Sequence, residues 1–281
     1  MPNLMNSRQA IEYLKIEKKA FENYFKNSKE IKAIKSGGRW WFDKIDLDSW
    51  KKLKEERTII LGLAEYEKCF EFAIKMAYGT RQSRGTGIRG TRSEMQKADD
   101  FILGILAEHG VQKFLKEKLG VEVELDTEVH LDHITEQDFI GIKYAGKIRQ
   151  VKLGVAVKSS KWKNCFNVID PLEYETPNRK SDIYIFVRVG LPSDHLFRIL
   201  REHSFFKTVK DFLEKSEGFR KIKELKEIPI WITGFSYHNE FDKVTEIPGQ
   251  RFSGDPNYRY AKSVGEMHNT DKEWDELITK L

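Results

Sequence analysis

Asp138-Phe-Ile-Gly-Ile-Lys-Tyr144 and Leu153-Gly-Val-Ala-Val-Lys158 decide how this chain is read. Each reads as part of a short apolar strand, and a turn at Gly146 sets the two side by side. An aspartate opens the first strand and a lysine closes the second. Brought together, such a pair can hold a divalent metal against a phosphodiester and activate a water beside it.

The segments around this pair read as one α/β unit. Residues 91–118 carry a helical pattern of Met95, Ala98, Phe101, Ile102, Ile105, Leu106, Val111 and Leu115, with Gly110 as a point of breakage or kinking. The alternation Val121-Glu-Val-Glu-Leu-Asp-Thr-Glu-Val129 predicts a strand ahead of Asp138, and Ile148–Val157 predicts the strand that carries Lys158. A variable stretch over 163–176 reads as a helical connection. Ile183-Tyr-Ile-Phe-Val-Arg-Val189 is apolar enough for a strand buried on both faces.

The order helix, three strands, linking segment, strand resembles the core of the PD-(D/E)XK nucleases. That resemblance implies a mixed sheet flanked by helices, with an acid on the second strand and a D/E-x-K on the third. Asp138 matches the first acid and Lys158 the lysine, but the acid expected two positions earlier is Ala156. Three explanations stay open. The acid has migrated to the following helix, where Glu173 is the first choice and Glu175 the alternate. The site uses another register, Gln150-Val-Lys152. Or the domain binds without cutting. Glu128 on the first strand and Glu94 at the start of the long helix are further candidate ligands. The metal implied is Mg²⁺, with Asp138 and Glu173 as its expected ligands and Lys158 orienting the attacking water; it prefers oxygen ligands and needs only one or two carboxylates besides a substrate phosphate.

The N-terminal 57 residues read differently. They hold 14 Lys and Arg against 9 Asp and Glu, so the whole net charge of +5 lies here and the remainder is neutral. Such a segment favours contact with phosphates. Two short helices are expected over 7–25, with Ser7 as N-cap, then a hairpin about Gly37-Gly38 and a third helix opening at Ile45. Ala10-Ile-Glu-Tyr13-Leu14, Gly37-Gly38-Arg39-Trp40 and Asp46-Leu47-Asp-Ser-Trp50 together resemble the winged helix-turn-helix of the excisionase and MerR-like family. By that resemblance Lys18 and Lys19 lie on the recognition helix and Arg39 on the wing. A helical cap packed on the main domain is the alternative.

Residues 58–78 read as a linking helix, and 79–92 as a glycine-rich loop whose Arg81, Arg84, Arg89 and Arg92 suit a phosphate backbone. Gly85-x-Gly87-x-x-Gly90 within it lacks the preceding strand that a dinucleotide fingerprint requires. His130-Leu-Asp132-His133 lacks convincing zinc-ligand spacing and reads as a loop. Residues 193–223 read as charged helix with Phe197, Leu200, Phe205, Phe206, Val209 and Phe212 on the apolar face, and 228–237 as a strand. In the polar tail, Gln250, Arg251 and Arg259 have side chains suited to base edges or phosphate.

No run is apolar for long enough to cross a membrane, and no secretory leader is read. Cys69 and Cys165 have no CxxC partner and are expected as buried, reduced thiols in a cytoplasmic protein. The expected organisation is a DNA-binding domain (1–57), a linker (58–92) and a nuclease domain (93–281). The two resemblances together imply a type II restriction endonuclease that acts on double-stranded DNA as a homodimer, beside a cognate methyltransferase. The alternative is a non-catalytic DNA-binding regulator with an inactive nuclease-like domain.

Overall fold

The structure is a computed structural model that describes residues 4–78, 93–126, 137–144, 146–215 and 221–281. The N-terminal unit contains β1 (Leu4–Asn6), α1 (Ser7–Leu14), α2 (Lys18–Glu22), β2 (Ile34–Ser36), β3 (Arg39–Asp43) and α3 (Lys44–Glu56). Gly37 and Gly38 form the β2–β3 turn with φ of 57° and 76°, a conformation that only glycine adopts without strain. The N-cap of α1 is Asn6 rather than Ser7: its side chain accepts from the Gln9 N–H while Gln9 bonds back to the Asn6 N–H. α2 runs on into a single π-helical turn over Asn23–Asn27. Phe21, Phe25, Phe42, Leu47 and Trp50 close the unit's own small core.

The chain then enters the main body through β4 (Thr58–Leu61), α4 (Leu63–Tyr78) and α5 (Glu94–Leu119). Residues 58–78 are therefore not one linking helix. Thr58-Ile-Ile-Leu61 is β-branched and apolar, and it serves as an edge strand of the main sheet, with Ile59 and Leu61 buried. After α5 come β5 (Glu122–Leu125), β6 (Phe139–Tyr144), β7 (Lys147–Arg149), β8 (Val155–Lys161), β9 (Phe166–Ile169), α6 (Pro171–Glu175) and β10 (Ile183–Val189). The expected strand over 148–157 is broken at 150–154. Lys158 sits inside β8 rather than at its end, and the stretch 163–176 holds a strand as well as a helix. The remainder is α7 (His195–Leu200), α8 (Ser204–Leu213), β11 (Ile228–Tyr237), β12 (Asp242–Val244), β13 (Glu246–Ile247), β14 (Gln250–Arg251), β15 (Arg259–Ser263) and α9 (Asp271–Lys280).

The fold is mixed α/β. Its central sheet has the order β4-β11-β10-β8, with β8 and β10 parallel and the other pairs antiparallel. β10 is buried along its whole length, as its apolar run foretells. Two further three-stranded sheets, β5-β6-β7 and β12-β15-β9, complete the body. α5 lies across the central sheet and buries Ile102, Leu106, Val111 and Phe114. Gly110 does not break this helix. A Cβ there would lie 2.3 Å from Ile230 Cγ2, so glycine is what lets α5 approach β11 this closely.

The N-terminal unit is docked onto this body. Trp231 of β11, with Cys165, joins its aromatic cluster. Arg188, fully buried on β10, donates to both carboxylate oxygens of Glu30 at 2.8 and 2.6 Å. On the opposite side of the body, buried His195 is held between the Tyr66 hydroxyl and Asp99, each 2.6 Å away, which seats α7 on α4 and α5. Both cysteines are buried and unpaired. Among the described residues no helix is long and apolar enough to cross a membrane.

Candidate active site

Asp138 and Lys158 lie near enough for each to act on the other's charge. Asp138 stands just ahead of β6, where its N–H donates to the Val155 carbonyl at 3.0 Å and its Oδ2 accepts from the Val157 N–H at 2.5 Å. These two bonds stitch the start of β6 to β8 and fix the carboxylate beside the strand that carries the lysine. Lys158 lies one position beyond Val157, in register with Phe186 on β10. Its ammonium pairs with Glu173 Oε1 at 2.6 Å, both side chains being less than one third exposed.

Glu173 reaches this position because β9 leads directly into α6. Asp170 caps the helix by accepting from the Leu172 N–H at 3.0 Å, and Pro171 opens it with a pre-set φ. Glu175, the alternate acid, is engaged elsewhere: its Oε1 accepts from Tyr258 at 2.9 Å and Tyr260 at 2.8 Å. Those bonds hold its carboxyl below the ordinary range and tie α6 to β15. Ala156 is buried with Ile169, Tyr174, Tyr184 and Phe241. A carboxylate there would be committed to an apolar cluster, whereas Glu173 brings one to Lys158 from the following helix.

The third carboxylate of the site is one that sequence reading missed. Glu108 of α5 is half-buried, and burial with the charge of Asp138 pushes its carboxyl well above the usual range. Burial likewise raises Asp138, against the opposing pull of Lys158 and the Val157 N–H. Asp126, after β5, adds its charge to both. Burial acts to strip the proton from Lys158, but Glu173 and Asp138 outweigh it and raise the ammonium's pKa. The site is thus one firmly protonated lysine among four acids, two of which are held up by burial and like charge.

A signal for Glu108 was present. Phe101, Ile105, Val111 and Leu115 recur at helical spacing about it, so position 108 is a carboxylate set into an apolar stripe. Glu94 is fourteen residues earlier, about 21 Å away along the helix axis; it is exposed and pairs with Lys97 at 2.9 Å. Gln150 and Lys152 are exposed, and the Lys152 N–H is spent on the Leu281 carbonyl, so that register assembles nothing with Asp138. Glu128, Arg81, Arg84, Arg89, Arg92 and the His130–His133 segment lie outside the described residues.

No family model, curated protein or solved structure matches the chain. The chemistry is therefore argued from the geometry. Among the described residues no three His, Cys, Asp or Glu side chains form a ready metal cage. Mg²⁺ does not require one, since one or two carboxylates with waters and a substrate phosphate suffice. Asp138 and Glu108 fit that need: both are oxygen donors, and burial pushes both carboxyls up, the charge of Asp138 adding to the effect on Glu108.

The expected DNA-contacting side chains are at the surface. Lys18 and Lys19 are exposed on α2, and Arg39 is exposed where β3 leaves the hairpin. None of the three forms an ion pair among the described residues. Gln250 and Arg251 form β14, the exposed second strand of a small hairpin with β13. That hairpin lies between β12 and β15, so its base rests on the sheet that leads through β9 into α6 and Glu173. Arg259 is half-buried and engaged, its Nε 3.5 Å from Asp170.

Proposed function

We propose that this chain is a Mg²⁺-dependent, sequence-specific endonuclease of double-stranded DNA, with the character of a type II restriction enzyme. The observation that carries the reading is the convergence of Asp138 from just ahead of β6, Lys158 from β8 and Glu173 from α6, with Glu108 of α5 near enough to feel the charges of Asp138 and Lys158. The PD-(D/E)XK resemblance implies this order of parts, and a helix-borne acid in place of Ala156 is the first of its three variants. The exposed Lys18, Lys19 and Arg39 support the winged-helix reading of the N-terminal unit, and Gln250 and Arg251 the reading of a second DNA contact.

The residues divide the work. Asp138, held by two bonds to β8, and Glu108 would hold the metal, Glu108 taking the place of the expected Glu173, whose Oε1 is paired with Lys158; when bound the metal would supply positive charge to the scissile phosphate and acidity to a water. Lys158 stays protonated beside Glu173 and Asp138. Its part is therefore to orient the attacking water and to stabilise the charge developing on the phosphate, rather than to accept a proton.

Digestion of unmodified phage and plasmid DNA with Mg²⁺ tests the reading, beside EDTA and the folded variants Asp138→Ala and Lys158→Ala. Discrete fragments are expected from the wild type, and loss of at least about 100-fold in rate from each variant. DNA binding without cleavage on any substrate would instead make this a non-catalytic DNA-binding regulator. An active, folded Lys158→Ala would remove the site assignment.

A further inference from the structure

β8 begins on the buried Val155-Ala-Val157 and ends on Lys158-Ser-Ser-Lys161, a run of four polar residues. Lys158 has a part in the site, and Ser159 and Lys161 have none so far. β8 is an edge of the central sheet, with β10 as its one neighbour there. The Gly154 carbonyl accepts from the Ile183 N–H of β10 at 2.9 Å. Backbone groups alternate along a strand, so the even-numbered ones of β8 face β10 and the odd-numbered ones face the open side. On that side the Val155 carbonyl and the Val157 N–H are taken by Asp138. The next outward donor is the Ser159 N–H, about 6.6 Å further along the strand. Among the described residues it has no partner, and neither has the Ser159 hydroxyl. Ser159 is half-buried, so this N–H calls for an oxygen from outside the chain.

Three features select what comes there. Lys161 is exposed and forms no ion pair among the described residues, so a hydroxyl and an uncompensated ammonium flank the free N–H. The side chains of Ser159 and Lys161 alternate onto one face of β8, the face of Val155 and Val157 that packs toward α5 and its Glu108. A lysine on a strand edge also discourages pairing with a further strand, which leaves an anion as the suited ligand. The position completes the argument. It lies one strand repeat past Asp138, a step close to that between neighbouring phosphates of one nucleic-acid strand. The geometry points to a second phosphate site. Ser159, through its N–H and hydroxyl, and Lys161, through its charge, bind the DNA phosphate next to the one presented to Asp138 and Lys158. The identity of that neighbour as the scissile phosphate rests on the nuclease reading.

DNA binding by the full chain, measured in EDTA at several salt concentrations, gives the first test. Lys161→Gln is expected to weaken every duplex alike and to lower the slope of log affinity against log salt by about 1. Lys161→Arg should keep the slope, and Ser159→Ala, which spares the N–H, should cost about fivefold in affinity. Both positions lie outside the core, so circular dichroism should match the wild type. In cleavage with Mg²⁺, Lys161→Gln should raise KM with kcat little changed, because the contact is made equally before and during the reaction. A duplex with one neutral methylphosphonate beside the cut supplies the second test. On one side of the cut it should slow the wild type about tenfold and cost Lys161→Gln nothing further. An unchanged salt slope in Lys161→Gln, or additive losses with the methylphosphonate on both sides, would overturn the proposal. DNA bound but never cut, with the slope still lowered, keeps the phosphate site and removes the nuclease reading.

Discussion

Replacing Glu30 by Gln tests how the N-terminal unit is fastened to the main body. Arg188 is wholly buried and the Glu30 side chain is 5% exposed, so neither charge has water to fall back on. Their two parallel bonds of 2.8 and 2.6 Å are joined by a bond from Arg188 Nε to the Asn164 carbonyl. The guanidinium also lies 4.6 Å from the Trp231 ring centre and 5.1 Å from that of Tyr24. Glu30→Gln keeps the shape, but it removes the charge and turns one acceptor into a donor. A buried guanidinium left without its counter-charge costs about 3–5 kcal/mol. The remaining amide oxygen still accepts one bond, so the lower end, about 3 kcal/mol, is expected. Against a total stability of about 5–15 kcal/mol this is a large fraction. Equilibrium urea unfolding followed by tryptophan fluorescence measures it, since Trp50 and Trp231 pack at this junction. The double variant Glu30→Met/Arg188→Met removes both charges and should be more stable than Glu30→Gln alone, with a coupling above about 2 kcal/mol. A Glu30→Gln cost under about 0.5 kcal/mol, with additive effects of the two single changes, would refute the view that this pair is a desolvated lock.

Further outcomes follow from other contacts. Gly110→Ala sets a methyl 2.3 Å from Ile230 Cγ2 and is expected to lower stability by about 1–3 kcal/mol by denaturant midpoint, in spite of alanine's better helix propensity. Glu108→Gln should fold but cut DNA at least ~10-fold more slowly, with a weakened response to Mg²⁺ in a titration of rate against metal; wild-type metal dependence would place Glu108 outside the site. Reversing the charges of Lys18, Lys19 and Arg39 should reduce DNA affinity and flatten its dependence on salt, read by fluorescence anisotropy at several ionic strengths. His268 ties β11 to α9 through Glu240 at 2.8 Å and Glu273 at 2.7 Å. Burial acts to lower the imidazole, yet these two carboxylates outweigh it and raise it above its usual 6.5. Burial likewise pulls Glu273 up, but His268 and the Thr270 and Asn269 N–H groups bring it down to about 2. The histidine's contribution is thus complete below pH 6.5 and lost as pH rises through the raised value. The contribution of Glu273 is complete above its ordinary 4.5 and lost as pH falls toward 2. The urea midpoint of wild type minus that of His268→Gln should therefore be largest between these limits and shrink on either side.

Local pattern placed most elements of this chain, because the spacing of apolar residues and the turn-forming glycines act within a few residues. The Gly37-Gly38 hairpin, the long α5, β10 and β11 were legible for that reason. The nearness of Asp138 to Lys158 was legible as an expectation, but the hairpin after Asp138 closes with β7, and it is two hydrogen bonds from Asp138 to Val155 and Val157 that bring it beside β8 in another sheet. Pattern failed where a neighbour distant in sequence decided the outcome. Thr58–Leu61 is a strand because β11 offers it an edge, and Ala156 is apolar because Tyr174, Tyr184 and Phe241 surround it. Glu108 enters the site only because α5 is pressed onto the sheet at Gly110. Glu173 rather than Glu175 reaches Lys158 because two tyrosines of β15 take the latter. The sequence by itself determined which segments could be helix or strand, and that an acid and a lysine would be neighbours. The tertiary structure alone decided which further carboxylates joined them, because charge, burial and hydrogen bonding act through space, between residues that no sequence spacing relates.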